Sequence, residues 1–197
     1  MLSFSENNIV MQKLLFILGE LSDDDVDWIV ETSERETIEP GTVLIEENQP
    51  LDKLYILLDG TAEVLVDQKP IANLYPGEIF GEMSFLDSRS PSATVRAAEN
   101  CVVLSLLRTD LSDRLRRDIN FSANFYRALA MFLSDRLRAA DSRLGYGVSR
   151  SYEQTLDEIT NPDVLSNYHL AKTRYDWFLS RLRGEQENFA IELPANF

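Results

Sequence analysis

The chain has one cysteine, one histidine and few cations, with 19 lysines and arginines against 33 aspartates and glutamates in 197 residues. A single thiol cannot close an intramolecular disulfide, and Cys101 sits in the apolar run Cys101-Val102-Val103-Leu104, which predicts a buried strand residue without chemistry. His169, between Tyr168 and Leu170, has no second histidine or cysteine nearby with which to hold a metal. The net charge of −14 opposes a phosphate backbone, and the cations are scattered among carboxylates, so nucleic acid is not an expected partner. No apolar run approaches the ~20 residues that span a bilayer. The opening Met1-Leu2-Ser3-Phe4-Ser5-Glu6 lacks the charged start of a secretory signal. The expectation is a cytoplasmic protein that does not engage membranes. Serines are numerous, but no Gly-x-Ser-x-Gly elbow accompanies them, and the acidic runs Asp23-Asp24-Asp25 and Asp157-Glu158 lack the alternation of a calcium loop. Neither an enzyme nor a bound cofactor is expected.

An ordinary globular balance is present: 44% of residues are hydrophobic and 26% charged. Ile9, Val10, Leu14, Leu15 and Leu18 form a short amphipathic pattern, and Ser22 with the aspartates after it predicts a second helix over 23–33. From Thr37 to Leu107 the period changes to two, with breaks at Pro40-Gly41, Asp59-Gly60, Pro76-Gly77 and Arg89-Ser90-Pro91, which predicts about eight short strands. Lys53–Leu58 and Thr61–Val66 meet at Asp59-Gly60, a favoured tight-turn pair, and are expected to form a hairpin. Beyond Leu107 the pattern is helical, with a helix opening at Thr109 or Asp110 and a longer one over 121–144 that ends at Gly145-Tyr146-Gly147. The class is therefore α+β: an eight-stranded β-roll or jelly roll with short N-terminal helices, a long C-terminal helix and a helical extension. The corresponding boundaries are 1–36, 37–108, 109–147 and 148–197.

Pro76-Gly77-Glu78-Ile79-Phe80-Gly81-Glu82-Met83-Ser84-Phe85-Leu86, followed by Ser92-Ala93-Thr94-Val95-Arg96-Ala97, is the most informative stretch. It resembles the phosphate-binding cassette of cyclic-nucleotide-binding domains, the family of the bacterial catabolite activator protein and of the regulatory subunits of cyclic-AMP-dependent kinase. Gly41, Gly60, Gly77 and Gly81 and the order of helices agree with that family. A helical turn opening after Gly81 would direct the N–H groups of Met83 and Ser84 toward one spot where an anion can sit. Glu82 would accept a hydrogen bond from a ribose hydroxyl. In the family an arginine then pairs with the phosphate and a small residue after it donates another N–H, which implies roles for Ser92 and Ala93.

At that point the chain departs from the family pattern. Counting back from Ala93-Thr94-Val95, the arginine position is held by Pro91, which has neither charge nor N–H. Arg89, two residues earlier, serves the phosphate only if the loop is rerouted; otherwise it is a solvated loop residue. The resemblance also maps Val64, Ile71 and Ala72 to the base wall, with Arg136 on the long helix beside it, although core and helix surface explain the same residues. Losing a charged hydrogen bond costs about 1.5–3 kcal/mol, or one to two decades of affinity.

Two readings follow. In one, the roll takes cyclic AMP, cyclic GMP or another nucleotide and signals to a protein partner through its C-terminal helices. In the other, the roll binds no nucleotide and serves as an interaction scaffold. A transcription regulator is disfavoured, because Arg150, Lys172, Arg174, Arg181 and Arg183 face eight carboxylates in 148–197. Tyr126, Ala130, Leu133, Leu137, Ala140 and Leu144 form a heptad seam, which fits either a homodimer or packing on the chain's own roll. Asn161-Pro162-Asp163 starts a further helix whose apolar face contains Tyr168, Tyr175, Phe178 and Leu182. That face is expected to fold back on this chain or a twin subunit, or to bind a partner.

Overall fold

The computed structural model describes residues 20–143. The amphipathic pattern over 7–18, Leu144, the Gly145–Gly147 stop, His169 and all of 148–197, with Tyr168, Tyr175, Phe178 and Leu182, lie outside the described residues.

Helix α1 (Asp23–Thr32) begins where Ser22 predicts it. Ser22 Oγ accepts from the Asp25 N–H at 3.2 Å while the Asp25 carboxylate accepts from the Ser22 N–H at 3.0 Å, a reciprocal capping box that satisfies two otherwise unpaired donors. Asp25 is buried and also meets Arg114 at 3.4 Å, so the cap ties α1 to a helix that follows the sheets.

Eight strands follow among the described residues: β1 (Glu34–Ile38), β2 (Val43–Ile45), β3 (Lys53–Asp59), β4 (Ala62–Val66), β5 (Lys69–Leu74), β6 (Ile79–Phe80), β7 (Thr94–Ala97) and β8 (Cys101–Leu107). They form two four-stranded antiparallel sheets, ordered β1-β8-β3-β6 and β2-β7-β4-β5. Helix α2 (Glu82–Asp87) sits between β6 and β7, and α3 (Arg108–Arg117) and α4 (Ile119–Arg143) follow β8. The α+β roll is thus the observed architecture.

The expected hairpin at Asp59-Gly60 does not form. β3 pairs with β6 and β8 while β4 pairs with β5 and β7, so Asp59-Gly60 carries the chain from one sheet to the other. Gly60 is needed there: its φ is +85°, and a Cβ would stand 2.4 Å from the Asn100 carbonyl oxygen. The tight hairpin is instead β4–β5, where Val66 pairs with Lys69 and the two residues between, Asp67 and Gln68, both have positive φ. That is the backbone of a type I′ turn, adopted here without glycine. Pro70 within β5 is tolerated because β5 lies at the edge of its sheet.

The first sheet is covered on both faces, which explains the unbroken apolar runs of β3 and β8. Tyr55, Leu57, Cys101 and Val103 point between the sheets with Ile45, Ala62, Leu74, Phe80, Val95 and Ala97. Leu54, Leu104 and Leu106 point the other way, against Val26 and Ile29 of α1, Leu111 and Leu115 of α3, and Phe121, Phe125, Ala128, Leu129 and Phe132 of α4. The period-two alternation of strands therefore sorts one sequence run into two cores.

α4 faces the roll with its phenylalanine stripe, and of the heptad seam Leu133 packs beside that stripe. Tyr126, Ala130, Leu137 and Ala140 are exposed and Leu133 is half-buried. Among the described seam residues, packing on the chain's own roll is therefore observed at Leu133 and not at Tyr126, Ala130, Leu137 or Ala140.

Candidate functional site

Between β6 and α2 the chain turns through Gly81, whose φ of +87° makes it a left-handed cap; a Cβ there would press on the Leu51 side chain at 3.0 Å and the Lys53 carbonyl at 3.1 Å. The preceding loop is fixed by backbone bonds from Gly77 N to the Leu57 carbonyl at 2.7 Å and from Leu57 N to the Glu78 carbonyl at 2.9 Å. The short helix α2 is held from the C-terminal side as well. Arg108, the first residue of α3, donates to the Ser84 carbonyl at 2.8 Å and the Leu51 carbonyl at 2.7 Å, with its guanidinium over the Phe85 ring.

A cleft of about 70 Å³ opens here. One wall is the turn and helix Gly81, Glu82, Met83 and Ser84; opposite it runs Pro91-Ser92-Ala93; the floor is Ile45, Val64, Leu74, Phe80 and Val95; and Arg136 enters from α4. Ligand sites for drug-sized molecules usually measure about 300–1,000 Å³, so a nucleotide enters only if walls move. Arg136 and the exposed Met83 are long side chains that can do so.

The electrostatic centre of the cleft is Glu82, whose side chain is 3% exposed. Its carboxylate accepts from Arg136 Nη1 at 2.5 Å and from the N–H groups of Glu82 and Met83. Burial raises the Glu82 carboxyl above its ordinary range, and Arg136 and the two N–H groups pull it back in part. The Arg136 side chain is 33% exposed, and its guanidinium lies over the Phe132 ring at 5.5 Å.

Of the residues singled out in the sequence, the cleft brings together Gly81, Glu82, Met83, Ser84, Ser92, Ala93, Val64 and Arg136, with Pro91 among them. It does not bring in Arg89, Ile71 or Ala72. The Arg89 side chain is 85% exposed and pairs with Asp87 at 3.7 Å, because the left-handed Ser88 that ends α2 turns the chain outward before it. Ile71 is 60% exposed because the register of β5 against β4 shifts at Val64/Leu65, which pairs Ala72 with Val64 and turns Ala72 and Leu74 to the same face; of these two, Leu74 lines the cleft and Ala72 does not. Ile45, Leu74, Phe80 and Val95 are wall residues that sequence reasoning missed; Phe80 and Val95 lie within the quoted cassette and were readable as its apolar side. The Glu82–Arg136 pair spans 54 positions and had no local signal. Among the described residues no cluster of His, Cys, Asp or Glu could hold a metal, and no helix is long and apolar enough to cross a membrane.

A two-sheet roll with a short helix inserted after a left-handed glycine, a buried glutamate on that helix and a C-terminal helix packed across it defines the fold class. Residues 35–118 match the family model of the cyclic nucleotide-binding domain. The chain is 24% identical over 164 residues to the cAMP-dependent protein kinase regulatory subunit of Eremothecium gossypii, covering 79% of this chain and 35% of that protein. It is 31% identical over 129 residues to the cyclic AMP receptor protein of Thermus thermophilus, covering 63% and 58%. A solved cyclic nucleotide-binding domain from Methylobacillus flagellatus superposes with a TM-score of 0.61 at 22% identity, covering 71% of this chain and 85% of that one; this likeness is one of fold. The chain spans between about a third and three-fifths of the two curated relatives' lengths.

Proposed function

We propose that this protein is a non-catalytic regulatory module whose cleft takes a cyclic nucleotide, cyclic AMP or cyclic GMP, and whose helices α3 and α4 relay occupancy to a protein partner. One observation carries the reading: the buried Glu82 on the cassette helix is bonded to Arg136 of α4, so the ligand wall and the output helix share an interaction. Arg108 adds a second tie, from the start of α3 to the Ser84 carbonyl. A ligand that displaces α2 must therefore displace the helices or break these bonds. The exposed seam Tyr126, Ala130, Leu137 and Ala140 supports a homodimer as the assembled form. The partner surface is assigned to the aromatic face of Tyr168, Tyr175, Phe178 and Leu182, and the setting is cytoplasmic, without nucleic acid or membrane.

Calorimetric titration of the full chain with cyclic AMP and cyclic GMP tests the ligand. Saturable heat at micromolar nucleotide is the expected result, and silence at millimolar would refute it. A scaffold that binds no nucleotide is the second reading. It is favoured by Pro91, which lines the cleft in the place the family gives to an arginine, and by the narrowness of the cleft.

A further inference from the structure

Within the proposed nucleotide site, on which this inference rests, the ligand's negative charge needs a partner. Among the described residues that line the cleft, Arg136 is the one cation. Pro91 offers neither charge nor N–H, and Arg89 is turned out to Asp87. Yet Arg136 is already engaged, bonded at 2.5 Å to the buried Glu82 carboxylate. We propose that Arg136, carried on α4, is the receptor for the anionic group of the ligand, and that Glu82 holds it as a tethered stand-in until a ligand takes its place.

Charge balance makes the exchange a requirement. Glu82 and Arg136 cancel within the cleft, so a cyclic phosphodiester, which brings one negative charge, would leave two anions competing for one guanidinium. The competition ends when Glu82 gives up Arg136 and takes a proton, after which the neutral carboxyl is still able to bond a ribose hydroxyl. The charged groups facing Glu82 are Arg136 from α4 and Glu78 from the loop before β6, and the second adds to the pressure toward the neutral acid. Geometry agrees with the exchange. The guanidinium reaches Glu82 from the helix side while resting on Phe132, and the side chain, a third exposed, has room to swing. The anion then pulls directly on α4, which links occupancy to the helix without the customary arginine of the cassette loop.

Titration of the full chain with cyclic AMP and cyclic GMP at pH 6, 7 and 8 tests this, on the wild type and on Arg136→Ala, Arg136→Lys and Glu82→Gln. Expected are a wild-type affinity that rises by up to tenfold per pH unit as pH falls, a loss of tenfold or more in Arg136→Ala, retention within about tenfold in Arg136→Lys, and a pH-independent affinity in Glu82→Gln. If the wild type binds and Arg136→Ala binds equally well, the exchange is overturned while the nucleotide reading stands. If the wild type is silent at millimolar nucleotide but Glu82→Gln binds, the exchange is upheld and the wild type is no sensor of these nucleotides. Silence in both overturns both. Should Arg136→Ala fail to fold, Glu82→Gln decides alone, since a pH slope equal to that of the wild type would overturn the exchange.

Discussion

Removing the guanidinium of Arg136 leaves the 3% exposed Glu82 carboxylate with two backbone N–H groups and no counter-ion. Breaking a buried ion pair from one side costs about 3–5 kcal/mol when the remaining charge persists. Glu82 has an escape, because it can take a proton. Keeping a glutamate of ordinary pKa near 4.3 protonated at pH 7 costs about 3.7 kcal/mol at ~1.36 kcal/mol per unit, which sets a ceiling at that pH on the electrostatic loss in Arg136→Ala. The sign is fixed by the direction of the shift. Burial raises the folded-state pKa of Glu82 above its unfolded value, so its contribution to stability is fully present below the unfolded pKa and is lost as pH rises through the folded one. Removing Arg136 widens that window upward.

The electrostatic deficit of Arg136→Ala relative to the wild type is therefore expected to be small near pH 5 and to grow by up to ~1.36 kcal/mol per pH unit until the stranded carboxylate ionises in the folded state. Glu82→Gln differs in kind. It leaves Arg136 alone, but that side chain is 33% exposed and turns to water, so a change within about 1 kcal/mol is expected, with little pH dependence. Urea denaturation of the two variants and the wild type at pH 5, 6, 7 and 8 measures both. A deficit in Arg136→Ala that is the same at every pH would refute the reasoning, because it would locate the loss in packing on Phe132 and not in the stranded carboxylate.

Gly60→Ala is expected to lower stability by at least about 2 kcal/mol, since φ is +85° and the added methyl would meet the Asn100 carbonyl; an unchanged urea midpoint would contradict the sheet-to-sheet crossing. Arg89→Ala is expected to leave stability within about 0.5 kcal/mol and nucleotide affinity unaltered, since its pair with Asp87 is solvated. Weakened binding in that variant would bring the loop arginine back as a clamp. Cys101, buried and with its thiol pKa raised by burial, is expected to react with a disulfide reagent only after urea unfolds the chain; modification of the native protein at the rate of a free thiol would refute its place between the sheets.

Legibility followed the range of the interactions. The cap of α1 was readable because Ser22 and Asp25 lie three residues apart and satisfy each other. Strands were readable from their alternation and breaks, and the cassette from the eleven contiguous residues Pro76 to Leu86 and the run that follows them. Asp59-Gly60 misled because the same dipeptide serves a hairpin and a crossing, and only the clash at Asn100, 40 positions away, separates them. Asp67-Gln68 gave no hairpin signal, since a type I′ turn without glycine depends on the pairing of the strands it joins. The bulge at Val64/Leu65 turned Ala72 and Leu74, in place of Ile71 and Asn73, to the face of Val64, a one-residue slip invisible to periodicity. In the same way, composition told that Arg136 exists on a helix but not that Phe132 and the angle of α4 would bring it to Glu82.

That long-range pair also bears on how so acidic a chain could attract an anion at all. The net charge of −14 repels a nucleotide at distance, but at physiological ionic strength the repulsion is screened beyond about 8 Å, so the charges inside the cleft decide binding. There the balance is one buried carboxylate against one guanidinium, and neither is idle. A fixed arginine in the cassette loop would hold the phosphate without reference to α4. An arginine on α4 cannot, because it binds only when the helix is positioned to deliver it. If that is the arrangement, mutations that loosen α4 away from the cassette helix, such as Phe121→Ala at its contact with Trp28 of α1, must weaken nucleotide affinity along with stability, whereas a loop-held phosphate would be largely indifferent to them.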